Sequence, residues 1–152
     1  ESAGIKILDQ GQAQTMTQNF KQTSIDMSSK SRSAITIVDA TNAACVLYSR
    51  PALDQVGLFD ERFGSYLEDI DLSLRLTRAG WQNLVCHQVA VVHQQQASSQ
   101  TLGWRKNWLD TKNWWLVILK NWSCRQWLKY WPGILLERGR NLSGLIRSYA
   151  SG

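Results

Sequence analysis

The sequence lacks an apolar run long enough to cross a bilayer, and it also lacks the marks of a secreted protein. Its longest strongly apolar run, residues 114–119, is far shorter than the roughly 20 residues that a spanning helix needs. No basic and apolar signal pattern opens the chain, and the three cysteines have no metal or redox spacing. We therefore expect a cytoplasmic location, in solution or at the inner face of the membrane.

The chain also begins without an initiator methionine. Residues 1–7 have the composition of a short strand that no earlier element precedes, so we expect the sequence to be the interior of a longer protein. Residues 9–33 are rich in Gln, Ser, Thr and Lys and show little periodicity, which predicts a mobile loop or an insertion. At 152 residues the chain is long enough to bury one sizeable core.

Positive charge is concentrated in the last third of the chain. Residues 1–100 hold eight Lys and Arg against ten Asp and Glu, whereas residues 101–152 hold nine against two. Seven of the eight tryptophans lie between residues 104 and 131. We therefore divide the sequence into a first unit at residues 1–100 and a basic, Trp-rich helical extension at residues 101–152.

Strands and helices alternate through the first unit. Residues 34–38 alternate as a strand does, and residues 43–48 form an apolar run typical of a strand that is buried on both faces. Pro51 and Gly57 frame a short helix at residues 51–56. Residues 81–86 and 89–92 are predicted to be two further strands. This alternation predicts the α/β class.

A central helix is predicted between Tyr66 and Gly80. Ser65 and Glu68 have the spacing of a capping box, and Asp71 and Arg75 have the spacing of a helical ion pair. The helix dipole favours the carboxylates of Glu68, Asp69 and Asp71 in the first turns. Acidic residues at a helix start are ordinary, so this cluster has a purely structural interpretation beside a catalytic one.

Several motifs follow one another around this helix. They are Gly-Leu-Phe-Asp-Glu-Arg-Phe at residues 57–63, Tyr-Leu-Glu-Asp-Ile-Asp-Leu-Ser-Leu-Arg at 66–75, Ala-Gly-Trp at 79–81 and Ala-Val-Val-His at 90–93. In this order and with these gaps, the sequence resembles the second half of the family 2 glycosyltransferases, the rhamnosyltransferase-like enzymes of the GT-A fold. The resemblance implies a partial GT-A domain, with a mixed sheet and flanking helices, at residues 1–100.

The resemblance also implies roles for individual residues. Asp69, paired with Glu68, would be the base that takes the proton of an acceptor hydroxyl, with inversion at the sugar carbon. Asp69 and Asp71 also spell the Asp-x-Asp metal signature of such enzymes, but the family carries that signature further upstream, so we interpret Asp71 as structural. His93, at a strand end, would contact a divalent metal, Mn²⁺ or Mg²⁺, together with the donor diphosphate. A histidine at a strand end is otherwise most often only solvated.

The resemblance thus implies a metal-dependent, inverting enzyme that moves a sugar from a nucleotide-sugar donor to a hydroxyl of a cell-surface polysaccharide or lipid-linked glycan. The upstream Asp-x-Asp and the nucleotide pocket are missing from these residues, so we expect the isolated chain to be inactive. Sugar, nucleotide, acceptor and oligomeric state stay open. The alternative is a non-catalytic module that binds a membrane or nucleic acid through its basic tail.

Two amphipathic helices are predicted in that tail, with a break at Pro132 and Gly133. The first has a tryptophan stripe, and the second has an apolar face made of Leu135, Leu142, Leu145, Ile146 and Tyr149. Tryptophan with Lys and Arg suits the headgroup layer of an anionic membrane. Similar residues can stack on single-stranded nucleic acid, although we expect no nucleic-acid partner. The stripe can also simply pack on the domain or on a second copy.

Overall fold

The computed structural model describes residues 2–17, 35–89 and 104–150. Its strands are β1 (Ser2–Leu8), β2 (Gln12–Thr17), β3 (Ile35–Val38) and β4 (Asn83–Cys86). Its helices are α1 (Arg50–Val56), α2 (Glu68–Arg78), α3 (Trp104–Asn121) and α4 (Cys124–Ala150), with a 3-10 turn at Glu61–Phe63. This mixture of helices and small sheets is consistent with the α/β class.

The four strands form two antiparallel pairs, β1 with β2 and β3 with β4. Ile5 of β1 and Ala40 exchange backbone hydrogen bonds of 2.9 and 3.1 Å, which connect the two pairs. The strands expected near residues 34–38 and 81–86 are confirmed as β3 and β4. The loop expected at residues 9–33 is wrong in its first part, because residues 12–17 pair with β1 as β2.

The buried strand expected at residues 43–48 is wrong. These residues form a turn and an irregular segment, and the side chain of Leu47 is fully exposed. The backbone donors here are bound by side chains: the amide of Ala43 donates to the Asp69 carboxylate, and the amide of Ala44 donates to the Asn42 side chain. Such side-chain acceptors compete with strand pairing for the same backbone groups.

The helix and caps around residues 50–57 agree with expectation. α1 begins one residue before Pro51 and ends at Gly57, whose φ of 83° lies in the region that glycine tolerates best. α1 packs on α2 through a small cluster of Ala52, Leu72 and Leu76.

The main hydrophobic core joins the strands to α2 and α3. It contains Ile5, Ala40, Phe63, Ile70, Trp114 and Val117. Because α3 contributes Trp114 and Val117, the first helix of the basic tail is part of the core that supports α2.

A buried carboxylate also joins α2 to α3. Asp71 is fully buried, and its Oδ2 accepts hydrogen bonds of 2.9 Å from both Arg75 and Lys120. Its Oδ1 accepts from the Asn121 side chain at 3.0 Å. The expected pair of Asp71 with Arg75 is therefore confirmed. Arg75 also donates to the carbonyl oxygen of Val56 at 2.6 Å, so the same network holds the end of α1.

The two C-terminal helices form an antiparallel hairpin. Ser123 and Gln126 start α4 with a reciprocal capping box, in which each side chain accepts from the backbone amide of the other residue at 2.9 to 3.3 Å. Trp115 and Trp127 stack with ring centroids 6.5 Å apart. The tryptophan stripe predicted for this helix consists of Trp104, Trp108, Trp115 and Trp122. The buried residues of α3 are instead Asn113, Trp114, Val117 and Ile118, while Trp122 of the stripe packs against the main core from a partly buried position.

The break expected at Pro132 and Gly133 is wrong, because α4 continues through both residues. Pro132 is exposed and removes one helical hydrogen bond, which usually costs about 3 kcal/mol. Packing on both sides of the proline offsets this cost: Trp127 stacks on Trp115 before it, and Ile134 is fully buried after it. Gly133 allows a close approach, since a Cβ there would lie 2.8 Å from Cγ of Gln10.

Arg138 fixes the middle of α4 to the body of the protein. Its Nη2 donates to the Gly11 carbonyl oxygen at 2.8 Å, and its guanidinium lies 5.1 Å from the centre of the Trp114 ring. Among the described helices, none is both long and apolar enough to cross a membrane.

The Asp71 network predicts a large loss of stability for Asp71→Asn. The amide keeps the shape of the side chain but removes the charge that Arg75 and Lys120 face, and it brings an N–H donor against their N–H donors. We expect the free energy of unfolding to fall by about 2 to 4 kcal/mol in urea titrations followed by circular dichroism.

The matched control is Asp54→Asn, which removes the exposed pair of Asp54 with Arg50. An exposed pair of this kind is worth about 0.5 kcal/mol. Equal losses in the two variants would contradict the role given to Asp71.

Candidate functional site

The candidate site lies at the start of α2, where the backbone is strained. Tyr66 and Leu67 have φ values of 70° and 68°, in the left-handed region that residues with a side chain rarely adopt. The capping box expected between Ser65 and Glu68 is therefore wrong: Leu67 occupies the cap position, no side chain caps the helix, and α2 begins at Glu68. Strained backbone of this kind persists only where surrounding contacts hold it, and it is common at functional sites.

Asn113 of α3 supplies such contacts. Its buried side-chain amide donates to the carbonyl oxygens of Phe63, Ser65 and Tyr66 at 3.0, 2.7 and 2.7 Å. These three carbonyls belong to the turn that leads into α2. A polar side chain of α3 therefore determines the conformation of the backbone that precedes Glu68.

Asp69 is half-buried, and two backbone amides fix its orientation. Its Oδ1 accepts from the amide of Ile70 at 2.8 Å, and its Oδ2 accepts from the amide of Ala43 at 3.1 Å. A carboxylate offers about four acceptor positions, so each oxygen keeps room for another hydrogen bond. The irregular segment after β3 thus positions the carboxylate without saturating it.

Glu68 lies beside Asp69 in a less polar environment. Its Oε2 is buried and makes no hydrogen bond within the described residues. Burial raises the pKa of Glu68, and the negative charge of Asp69 raises it further. Glu68 and Asp69 therefore lie in different surroundings, even though they are adjacent at the same helix start.

Tyr48 is a site residue that the sequence did not reveal. Its hydroxyl is buried, close to the side chain of Thr41. Burial raises the pKa of Tyr48, and the charge of Asp69 adds to this effect. Tyr48 lies in the apolar run at residues 43–48, whose pattern predicts a strand, and the irregular path of that segment brings the hydroxyl toward Asp69.

The remaining acids of the motif belong to the α2–α3 junction. Asp71 is buried under Arg75 and Lys120, which confirms its structural interpretation. Hydrogen bonds from Arg62 and then Lys120 hold the pKa of Asp60 well below its usual range.

The described residues do not by themselves form a metal site. Residues 2–17, 35–89 and 104–150 contain no group of three His, Cys, Asp or Glu side chains that could hold a metal ion. His93, the expected metal ligand, and residues 90–92 of the expected last strand lie outside the described part. His87 lies within it, with Nε2 2.8 Å from the hydroxyl of Thr36.

Comparison with known proteins places these residues in context. Residues 8–108, about two thirds of the chain, match the family described as "Glycosyltransferase like family 2". The matched region includes β2, the site at Glu68 and Asp69, and the start of α3. α4 lies beyond it.

Curated relatives match a shorter stretch. An N-acetylglucosaminyl-diphospho-decaprenol L-rhamnosyltransferase, found in two strains of Mycobacterium tuberculosis, is 41% identical over 58 residues. The match covers 38% of this chain and 19% of the relative. No solved structure shows a significant match to the chain.

The environment of Glu68 predicts a pH-dependent difference between the parent chain and Glu68→Gln. Because burial raises the pKa of Glu68 in the folded state, its ionisation opposes folding once the pH exceeds the unfolded pKa, about 4.3. The variant should therefore gain stability relative to the parent as the pH rises from about 4 to 7. Urea titrations of both proteins at several pH values measure this difference, and a difference that stays constant with pH would contradict it.

Proposed function

The chain belongs to the glycosyltransferase-like family 2, and from this premise we propose that it forms the acceptor side of a GT-A-like glycosyltransferase. The proposed reaction moves a sugar from a nucleotide-sugar donor to a hydroxyl of a polysaccharide or lipid-linked glycan. The rhamnosyltransferase relatives act on a diphospho-decaprenol acceptor, which supports this class of acceptor.

The observation that carries the proposal is the geometry of Asp69. Two backbone amides hold the carboxylate, and each oxygen can still accept a hydrogen bond. In the proposed step, Asp69 accepts the proton of the acceptor hydroxyl. The oxygen of that hydroxyl forms the new bond to the anomeric carbon of the donor sugar. The nucleoside diphosphate leaves from the opposite side with the bonding electrons, so that the configuration inverts.

Glu68 and Tyr48 have supporting roles in this proposal. Glu68 has a buried oxygen that lacks a hydrogen-bond partner within the described residues, Tyr48 has a buried hydroxyl, and the charge of Asp69 influences both. An unpaired buried polar atom is costly, so a bound polar group that pairs with it gains binding free energy. We propose that these two oxygens orient the hydroxyls of the acceptor sugar.

Donor and metal binding are proposed from family membership alone. Family 2 enzymes are often dependent on a divalent metal, and His93 stays the proposed contact to Mn²⁺ or Mg²⁺ and the donor diphosphate. The metal would stabilise the charge of the leaving diphosphate. Since the described residues form no metal site, no step above depends on that ion.

We also propose that the donor pocket lies in the part of such proteins that this chain does not cover. The chain matches only 19% of the length of the rhamnosyltransferase relatives. We propose that residues 1–100 carry the site and that residues 101–152 form a basic helical extension.

Asp69→Asn tests the proposal in the native protein that contains this chain. The substitution keeps shape and removes the proton acceptor, so turnover should fall by roughly 10²- to 10⁴-fold with little change in donor affinity. The assay measures nucleoside diphosphate released from a panel of nucleotide sugars, with N-acetylglucosaminyl-diphospho-polyprenol as acceptor.

Asp54→Asn is the matched control, because Asp54 is an exposed carboxylate on α1 that forms an ion pair with Arg50 at the surface. Its turnover should be that of the parent. Near-normal turnover in Asp69→Asn would place the base elsewhere and leave the start of α2 with a structural role.

A further inference from the structure

The outer face of α4 carries a row of large apolar side chains that the described residues leave uncovered. Each is between 51% and 79% exposed: Leu128, Trp131, Leu135, Leu142, Ile146 and Tyr149. Four of them recur every seven residues, at positions 128, 135, 142 and 149. They therefore lie along one side of the helix, because seven residues are nearly two helical turns and each repeat shifts around the axis by only about 20°. Contiguous exposed apolar surface of this kind marks an interaction site more often than chance. We call this row the α4 stripe.

Basic side chains follow the α4 stripe on the adjacent face of the helix. Arg125, Lys129, Arg140 and Arg147 are all exposed, and their spacings of four, eleven and seven residues keep them on one side. The one acidic residue of α4, Glu137, is mostly buried and pairs with Arg140 at 3.2 Å. The helix therefore offers an apolar row and a positive row side by side.

The start of α3 extends this surface. Trp104 meets Tyr149 edge to face with ring centroids 5.6 Å apart, so the aromatic end of the stripe continues across the hairpin. Trp104 and Trp108 are both exposed, as are Arg105 and Lys106 between them. Tryptophan and tyrosine favour the boundary between lipid and water, where an apolar ring and a polar edge are both satisfied.

We propose that the α4 stripe docks on an anionic lipid bilayer, with the helix lying in the plane of the surface. A helix of 27 residues is about 40 Å long, so it presents the full stripe and the basic row to the membrane together. The buried side chains of Ile134 and Arg138 hold a neighbouring side of the helix to the protein. Leucine and isoleucine enter the boundary of the acyl chains, while the arginines and lysine meet lipid phosphates. This inference does not rest on the proposed catalytic function.

Charge and chemistry disfavour the other occupants. Residues 101–152 hold nine basic and two acidic residues, so two copies facing each other through this surface would repel. Pro132 also disrupts the regular pairing that a seven-residue repeat would otherwise favour. Single-stranded nucleic acid binds by stacking bases on aromatic rings, whereas four of the six side chains in the stripe are aliphatic.

Vesicle flotation with the whole chain tests the proposal. The parent chain should bind vesicles of phosphatidylcholine with phosphatidylglycerol, and bind vesicles of phosphatidylcholine alone much more weakly. The double variant Leu128→Gln with Leu142→Gln should lower the partition coefficient at least about tenfold. Arg140→Gln with Arg147→Gln should lower binding to the anionic vesicles about tenfold and leave binding to the neutral vesicles unchanged.

These side chains are exposed, so the substitutions remove no core contact. Deleting the tail would be uninformative, because α3 supplies Trp114 and Val117 to the main core. The matched control is Ile37→Gln with Leu58→Gln, which removes two equally exposed apolar side chains away from α4 and should leave binding unchanged.

Three results would overturn the proposal. One is unchanged vesicle binding in the leucine variant. Another is a dimer in analytical ultracentrifugation that the leucine substitutions dissociate, together with no vesicle binding by the parent, which would assign the stripe to a second copy. The third is binding of a single-stranded oligonucleotide that the leucine substitutions abolish, again with no vesicle binding.

Discussion

The fully buried carboxylate of Asp71 is the interaction on which the rest of the structure depends. Burying a charge is costly unless it is paired and hydrogen-bonded, and Asp71 meets this requirement with donors from two helices: Arg75 from α2, and Lys120 and Asn121 from α3. The pairing fixes how α2 lies against α3. Because Arg75 also binds the end of α1, one charged group sets the relation of three helices.

That relation determines the candidate site. With α3 held in place, Asn113 can bind the three carbonyls before α2, and the unfavourable backbone at Tyr66 and Leu67 can persist. α2 then begins at Glu68, and Asp69 meets the amide of Ala43 from the irregular segment after β3. The acids that resemble a catalytic motif are thus positioned by a polar contact from the basic tail.

Local signals in the sequence predicted a large part of this arrangement, and contacts between distant residues decided the rest. The pair of Asp71 with Arg75, the short helix at Pro51 and the strands β3 and β4 follow from spacing and composition within a few residues. The apolar run at residues 43–48 predicts a strand wrongly, because its backbone donors bind side chains, one from Asp69 on α2 and one from the neighbouring Asn42. The spacing of Ser65 and Glu68 predicts a capping box at the start of α2, but the contacts of Asn113 with this turn override that local preference. A capping box does form at the start of α4, at Ser123. Tyr48 could not be recognised for the same reason.

The three hydrogen bonds of Asn113 have a consequence for the way such proteins can be recombined. The motif residues all lie before position 100. A chimera that joined residues 1–100 to an unrelated helical tail would therefore still contain every motif residue. In such a chimera no amide would hold the carbonyls of Phe63, Ser65 and Tyr66, and the strained turn would relax toward ordinary backbone angles. Exchange of modules between relatives therefore has to carry α3 along with the motif, however remote that helix is from the reacting atoms.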